Sequence, residues 1–440
     1  MRHYLETRCH QLITLWLKVY TRDIVSSSQL LIFTEQFPYG NSEPFLQTEL
    51  EFLSRKFESI KIIPLIVKGE TKRILPSNVT VITSFAQNRM GLASNIVNLL
   101  HILIASVFYK ELIKRFGRIA QPRALKRFLR ASFHCVQVQH WLVAYLKTAD
   151  PTTKTLCYTY FLTGITLGIG LIKEQQQIKL VSRVHGFDVY ENDYPGRYIP
   201  YQKQALDHLD ALLPISQHAL THLQQQFGEL NSISIVSRLG IKPSGFVNRI
   251  GENQPLSIVT CSSLISLKRV HLLIEGMTLF SQQNPHLKIK WQHIGDGPLR
   301  QPIEQQAKAE LPAPVSWEIK GQISQQAIFA HYQQQPIDLL VNLSTTEGIP
   351  VSIMEAYSCG IAAIATNVNG VPEIVNSENG ILLPVDITAQ DVANALTQYT
   401  QLSQQAKQNK RLAAFHTWQN KFNAEKNYAR FTEFLYHQLV

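Results

Sequence analysis

Short, nearly continuous apolar runs alternate along this 440-residue chain with stretches whose apolar positions recur at helical spacing. In the first half the runs are Gln29–Thr34, Ser59–Val67, Thr155–Thr159, Lys179–Val184 and Leu209–Ile215. In the second half they are Leu256–Cys261, Leu287–Ile294, residues near 316–320 and 338–343, and Ile361–Thr366. Runs that are apolar on both faces suit strands covered on both sides, as in a parallel sheet. Between them lie helical patterns: Phe45, Leu46, Leu50, Phe52 and Leu53, then residues 163–173 despite three glycines, then Val270–Ser281. Strand–helix alternation predicts α/β, doubly wound domains. A chain this long needs more than one core. Lys242-Pro243-Ser244-Gly245 and the polar stretch to Gln254 are the best linker, giving domains at 25–242 and 255–410. A 1–24 extension precedes them, and a helical segment, 411–440, follows.

The stretch from Ser344 to Ala356 lies between two buried-strand patterns, so it is a loop at the carboxyl end of a strand, followed by a helix. Open α/β sheets bind ligands there. Pro350 suits the helix's first turn and Gly360 the left-handed position after its end, predicting a helix over about 350–359. Its free amides and positive dipole end suit a phosphate. Glu347 and Glu355 frame the same place, and carboxylates there suit hydroxyls of a ribose or sugar. Asn369-Gly370-Val371-Pro372-Glu373 repeats the device, as a second anion-facing helix start or only a good cap. In the first half, Gly40 lies in the first strand-end loop. His185, followed by Gly186, closes another strand and points to the same cleft, as a substrate contact or as a structural histidine.

Composition changes the picture in two ways. Five scattered cysteines without metal-ligand spacing point to reduced, buried thiols. No secretory signal is visible, since residues 1–24 carry charges throughout. The net charge of +10 is concentrated: Lys110–Arg130 holds eight basic residues against Glu111 alone. Before it, Gly91–Tyr109 is uncharged, with Ser94, Asn95, Asn98 and His101 as a narrow polar stripe. Residues 91–130 therefore match a surface lying on an anionic membrane, or else a core helix followed by a solvated basic face. No nucleic-acid module accompanies the charge.

The pattern Ser344-x-x-Glu347-Gly348-x-Pro350-x-x-x-x-Glu355-Ala356, followed by Gly360, Ala365-Thr366 and Gly370-Val371-Pro372-Glu373, resembles the signature of family 4 glycosyltransferases. Phe37-Pro38-Tyr39-Gly40-Asn41 is similar to the first loop of members that build bacterial surface polysaccharides, and Ser182–Tyr190 to their histidine motif. Leu264-x-x-x-Lys268-Arg269 resembles their phosphate-binding turn. The resemblance implies a GT-B fold of two Rossmann-like domains around a cleft, and sugar transfer with retention, without a cofactor or metal. The implied donor is a nucleotide-diphosphate sugar. Glu355 would hold the ribose and Glu347 the sugar hydroxyls. Gly348, Ile349, Pro350 and Val351 would meet the phosphate or sugar. Lys268 would neutralise the diphosphate, and His185 would contact the transferred sugar. Gly40, Asn41 and Asp188 would lie on the acceptor side.

Where relatives often carry an arginine, five residues before the lysine, this chain has Ser263; Arg269 or Arg238 could supply the second charge. The implied protein is a hexosyltransferase at the cytoplasmic membrane face, peripherally bound, with a lipid-linked or polysaccharide acceptor. Rival readings are a nucleotide-sugar epimerase and a non-catalytic member with a degenerate site.

Overall fold

The computed structural model describes residues 28–40, 43–69, 73–87, 101–102, 104–193, 196–251 and 255–439. Asn41, the 1–24 extension and residues 91–100 of the apolar stretch lie outside these.

Two parallel sheets are present. The amino-terminal domain has β1 (Ser28–Thr34), β2 (Ser59–Pro64), β3 (Val79–Val81), β4 (Lys154–Thr159), β5 (Lys179–Val184), β6 (Ala211–Pro214) and β7 (Ile233–Ser234). They are ordered β3-β2-β1-β4-β5-β6-β7. The carboxy-terminal domain has β8 (Leu256–Cys261), β9 (Ile289–Ile294), β10 (Val315–Ile319), β11 (Leu339–Asn342), β12 (Ala362–Thr366) and β13 (Gly380–Leu383), ordered β10-β9-β8-β11-β12-β13. In each sheet the order reverses beside the first strand, between β1 and β4 and between β8 and β11. The connections on the two sides leave in opposite directions there, opening a crevice at the carboxyl ends of the strands. The α/β expectation holds, with most strands within a few residues of their predicted bounds.

The first helix, α1 (Pro44–Leu53), starts at Glu43, which has positive φ. Two longer helices, α2 (Ser106–Ile119) and α3 (Pro122–Leu146), lie between β3 and β4. Helix α4 (Gly164–Gln176) explains its glycines through packing. A Cβ on Gly164 would lie 2.3 Å from the Ala131 carbonyl oxygen, and one on Gly168 2.3 Å from that of Cys135. These two positions, one turn apart, let α4 press directly on the backbone of α3.

The basic stretch is not uniformly solvated. Arg115 and Arg118 both pair with the buried Glu191. The one acid, Glu111, is buried and accepts from the Tyr198 hydroxyl at 2.9 Å and the Tyr201 amide at 3.1 Å. Among the described residues, no helix is long and apolar enough to cross a membrane.

The chain crosses between domains twice. Outbound residues 239–241 run beside returning residues 422–424. Ile241 N donates to Phe422 O at 2.9 Å, and Ala424 N to Ile241 O at 3.1 Å. The last helix, Ala424–His437, then buries Phe431 and Leu435 with Leu46 and Leu50 of α1 in the amino-terminal core. Phe431 also covers the guanidinium of the fully buried Arg183, which pairs with Glu49 at 3.2 Å.

Gly168→Ala is expected to destabilise the protein by about 1–3 kcal/mol, because backbone rather than a flexible side chain must move. Gly117→Ala in α2, where a Cβ meets nothing within 4 Å, should stabilise it by roughly 0.5–1 kcal/mol. Thermal unfolding of the two variants checks the pair; equal shifts would contradict this account of Gly168.

Candidate functional site

The carboxy-terminal crevice is built from two loops fastened to each other. One follows β8, residues 262–269, and includes a short 3-10 turn, Ser266–Lys268. The other follows β11, residues 343–350. Thr345 N donates to Leu267 O at 2.9 Å. Arg269, at φ +47°, donates from Nε to Leu343 O at 2.6 Å, from Nη2 to Ser344 O at 3.2 Å and from Nη1 to Val385 O at 2.9 Å. Each guanidinium nitrogen of Arg269 thus holds a backbone carbonyl and fastens the two loops together. Arg238 is likewise committed, to Glu373 at 2.6 Å. Ser263 is exposed at the outer part of the first loop.

Lys268, next to that clamp, places its ammonium on Glu347 Oε1 at 2.5 Å. The same oxygen accepts from Ser344 Oγ at 2.7 Å and Asn342 Nδ2 at 3.3 Å. Glu347 is therefore fixed by three donors, and both members of the ion pair are partly buried. A partly buried pair held this way gives a diphosphate a local cation and gives hydroxyls a fixed acceptor.

From this loop the chain enters α5, Val351–Ser358, with Pro350 as its N-cap residue, so the helix starts one residue later than expected. The first amides of a helix lack intrahelical partners, so the helix start at Val351 offers donors, preceded in the loop by those of Gly348 and Ile349 but not of Pro350. Glu355 lies deeper, 5% exposed, and accepts from Gln325 Nε2 at 2.7 Å. Burial pushes its carboxyl up to about 7, with the Gln325 hydrogen bond opposing. Asn369–Glu373 does not start a second long helix. It makes a single 3-10 turn, Val371–Glu373, whose Glu373 reaches the other domain and accepts from His218 N at 2.8 Å.

The amino-terminal domain meets this loop at one corner. A Cβ on Gly348 would stand 2.6 Å from His185 O, and one on Gly370 2.0 Å from Gly348 O. Thr346 Oγ1 donates to Asp193 Oδ2 at 2.5 Å across the seam. The structure thus brings His185, Gly348, Glu347 and Lys268 into one neighbourhood. The His185 ring lies against Tyr160 and Phe161, with centroids 4.7 and 4.9 Å away. Both its nitrogens are shielded from solvent and make no hydrogen bond. Burial, then the Arg183 charge, depress its proton affinity well below the ordinary imidazole value, so the ring is neutral. A neutral imidazole offers one donor and one acceptor to an incoming group.

Asp188 has a different job from the expected acceptor contact. Its carboxylate accepts from the amides of His185, Gly186 and Leu162 at 2.8, 3.1 and 3.1 Å. It holds the turn that presents His185. Gly40, at φ +65°, serves the loop after β1. That loop is organised by Glu43, which sequence reading passed over; its buried carboxylate accepts from the amides of residues 35–37. Gln325 and His293 were also passed over. His293 is fully buried at the end of β9 with Nδ1 2.8 Å from Thr260 Oγ1. Among the described residues, no group of three or more His, Cys, Asp or Glu is placed to hold a metal ion.

Comparison with known proteins bears on this crevice. Residues 255–401 match the family model "Glycosyl transferases group 1". The matched segment contains both loops, Glu355 and the whole second sheet. Among curated proteins, the chain is 28% identical over 234 residues to "Putative colanic acid biosynthesis glycosyltransferase WcaL" of Escherichia coli (strain K12), covering 51% of this chain and 56% of that one. It is 27% identical over 230 residues to the amylovoran biosynthesis glycosyltransferase AmsK of Erwinia amylovora, covering 50% and 53%. The chain spans about half the length of the curated relatives it matches.

Solved structures show the fold. The lipopolysaccharide outer core galactosyltransferase WaaB superposes with a TM-score of 0.63 at 14% identity, over 92% of this chain and 99% of that one. Anabaena Alr3699/HepE in complex with UDP and glucose gives 0.63 at 16% identity, over 92% and 99%. The two parallel-sheet domains are thus those of GT-B glycosyltransferases, as the sequence led us to expect.

Glu355 gives a pH signature. Its carboxyl keeps a proton in the folded protein from its ordinary value of 4.5 up to about 7, where the unfolded chain has lost it. The folded state binds more protons in that window, so stability contributed by this group falls as pH rises through it. Glu355→Gln should flatten the decline; a melting-temperature profile over pH 4.5–8 that is parallel in the two proteins would contradict the assignment.

Proposed function

We propose that the protein is a retaining glycosyltransferase of family 4 type. It moves a hexose-type sugar from a nucleotide-diphosphate sugar to a lipid-linked or surface-polysaccharide acceptor. The observation that carries this is the Lys268–Glu347 pair at the carboxy-terminal switch point, with neutral His185 across the seam. In this reading the diphosphate lies along Lys268 and the amides of Gly348, Ile349 and Val351, the ribose hydroxyls donate to Glu355, and the sugar hydroxyls to Glu347. The bond from the anomeric carbon to phosphate oxygen breaks as the acceptor hydroxyl oxygen bonds to that carbon on the same face. The hydroxyl proton passes to the departing diphosphate. Lys268 and the helix amides stabilise the charge that builds on the leaving group, which is the role a metal fills in other transferases. His185 orients the sugar through a hydrogen bond. Neighbours captured with UDP make that nucleotide the first to test.

The reading extends to peripheral binding at the cytoplasmic membrane face. On α2, Tyr109, Ile113 and Phe116 recur at i, i+4 and i+7, and Ile113 and Phe116 are 77% and 65% exposed. Lys110 and Lys114 flank them. Exposed apolar side chains beside cations suit an anionic lipid surface.

Two outcomes are expected. Lys268→Ala should weaken UDP binding, measured by calorimetry, by about 10–100-fold, since a hydrogen bond to a charged group contributes about 1.5–3 kcal/mol. Glu355→Ala should lower sugar transfer by orders of magnitude; a folded variant with near-normal turnover refutes its role. For the membrane, Ile113→Asp/Phe116→Asp should lose flotation with vesicles containing anionic lipid, and unchanged flotation would refute that surface.

A further inference from the structure

Away from both strand-end crevices, a cavity of about 300 Å³ flanks the place where the chain crosses between domains. Small-molecule pockets begin at about this size. Its walls come from residues 235–238, just before the outbound passage, and from residues 420–434, on either side of the return passage. Three cations line it, Arg238, Lys421 and Arg430, and no acid does. Arg430 is exposed and, among the described residues, has no hydrogen bond or ion pair. Arg238 is half committed: Nη2 pairs with Glu373 Oε2 at 2.6 Å, while its Nε is buried without a hydrogen-bond partner. A buried donor left in that state is costly, and an acceptor in the cavity would satisfy it. Lys421 Nζ reaches the Glu373 carbonyl oxygen at 3.3 Å. Leu213, Ile235, Phe431 and Phe434 supply an apolar side, and Ile235 is 44% exposed there.

We propose that this cavity binds a small phosphate monoester with an apolar body. Three cations without an acid suit a dianion better than a single carboxylate. The phosphate oxygens accept from Arg238 Nε, Lys421 and Arg430, and the body covers Ile235 and Phe434. Inorganic phosphate would leave the apolar side bare, and a neutral apolar molecule would leave the cations unmatched. Glu373 also accepts from His218 N, at 2.8 Å, across the domain boundary. The cations that hold the phosphate are therefore the ones that hold this bridging glutamate. A dianion in the cavity competes with Glu373 for Arg238 and Lys421, and so loosens the bridge to His218. The site is separate from Lys268 and does not depend on the transferase reading.

The test is calorimetry on the full chain with phenyl phosphate. It should bind, with inorganic phosphate, phenol and benzoate each roughly tenfold weaker or more. Arg430→Ala should weaken phenyl phosphate roughly tenfold. Ile235→Asp, which sets an acid in the apolar side, should weaken it from the opposite direction. Both side chains are exposed, which spares the fold. Lys268→Ala, in the other crevice, should leave this binding unchanged. With phenyl phosphate bound, amide hydrogen exchange at His218 should quicken about fivefold or more. Equal binding by wild type, Arg430→Ala and Ile235→Asp overturns the site, as does loss of binding in Lys268→Ala. Inorganic phosphate or benzoate binding as well as phenyl phosphate overturns the assigned chemistry. Unchanged exchange at His218 in the bound protein overturns the competition with Glu373.

Discussion

Everything in the carboxy-terminal crevice hangs on Arg269. Its guanidinium gathers carbonyls from Leu343, Ser344 and Val385, and so fastens the loop after β11 to the loop after β8. Only with the two loops in this register do Lys268 and Glu347 meet. The left-handed backbone of Arg269 is part of the same arrangement, because it turns the chain from the 3-10 turn into the following helix, Val270–Gln283. A cation that looks in the sequence like a partner for phosphate is thus consumed as structure, and the lysine before it remains for the ligand. With Ser263 in place of another basic residue, the proposed transfer would rest its leaving-group charge mainly on Lys268 and helix amides.

The opposing wall works by exclusion of charge. Arg183 is buried two residues before His185, paired with Glu49 and covered by Phe431, and its field together with burial keeps the imidazole neutral. Asp188 fixes the turn from below through three amides. The histidine is therefore held through its backbone, while its ring makes no hydrogen bond to a protein group. Such a ring is suited to positioning, and a site that positions reactants while stabilising charge needs no strong general base.

Much of this was legible from local pattern. The bounds of β8 and β5 follow from their apolar runs, and the place of Glu347 from a loop between two such runs. What was not legible depends on pairings between distant residues. Gln325 reaches Glu355 across 30 positions, and Arg269 reaches Leu343 across 74. Nothing near Glu43 announces that it will turn its carboxylate back onto three amides. The glycines of α4 weaken a helix by propensity, and their purpose appears only when α3 is laid against them. Asp188 stands out in the sequence as part of the histidine motif, but that it accepts from the amides of Leu162, His185 and Gly186 does not.

The two interdomain passages, hydrogen-bonded side by side at Ile241 and Ala424, have a mechanical meaning. A Cβ on Gly240 would stand 2.4 Å from Ala424 Cα, so the passages have no room to slide past each other. The displacement this pairing leaves geometrically open is a swing about the double seam, as with a book and its spine. Among the described residues, the fore-edge contacts include Glu373 with His218 and Arg238, Thr346 with Asp193, Gly348 with His185, and the packing of Ile215 and Phe45 against the second core. Opening the covers would break those, the packing of Ile215 and Phe45 against the second core included, and leave the spine intact. Such a swing would take apart polar and apolar contacts at the fore-edge alone, while the pages of each sheet stay bound.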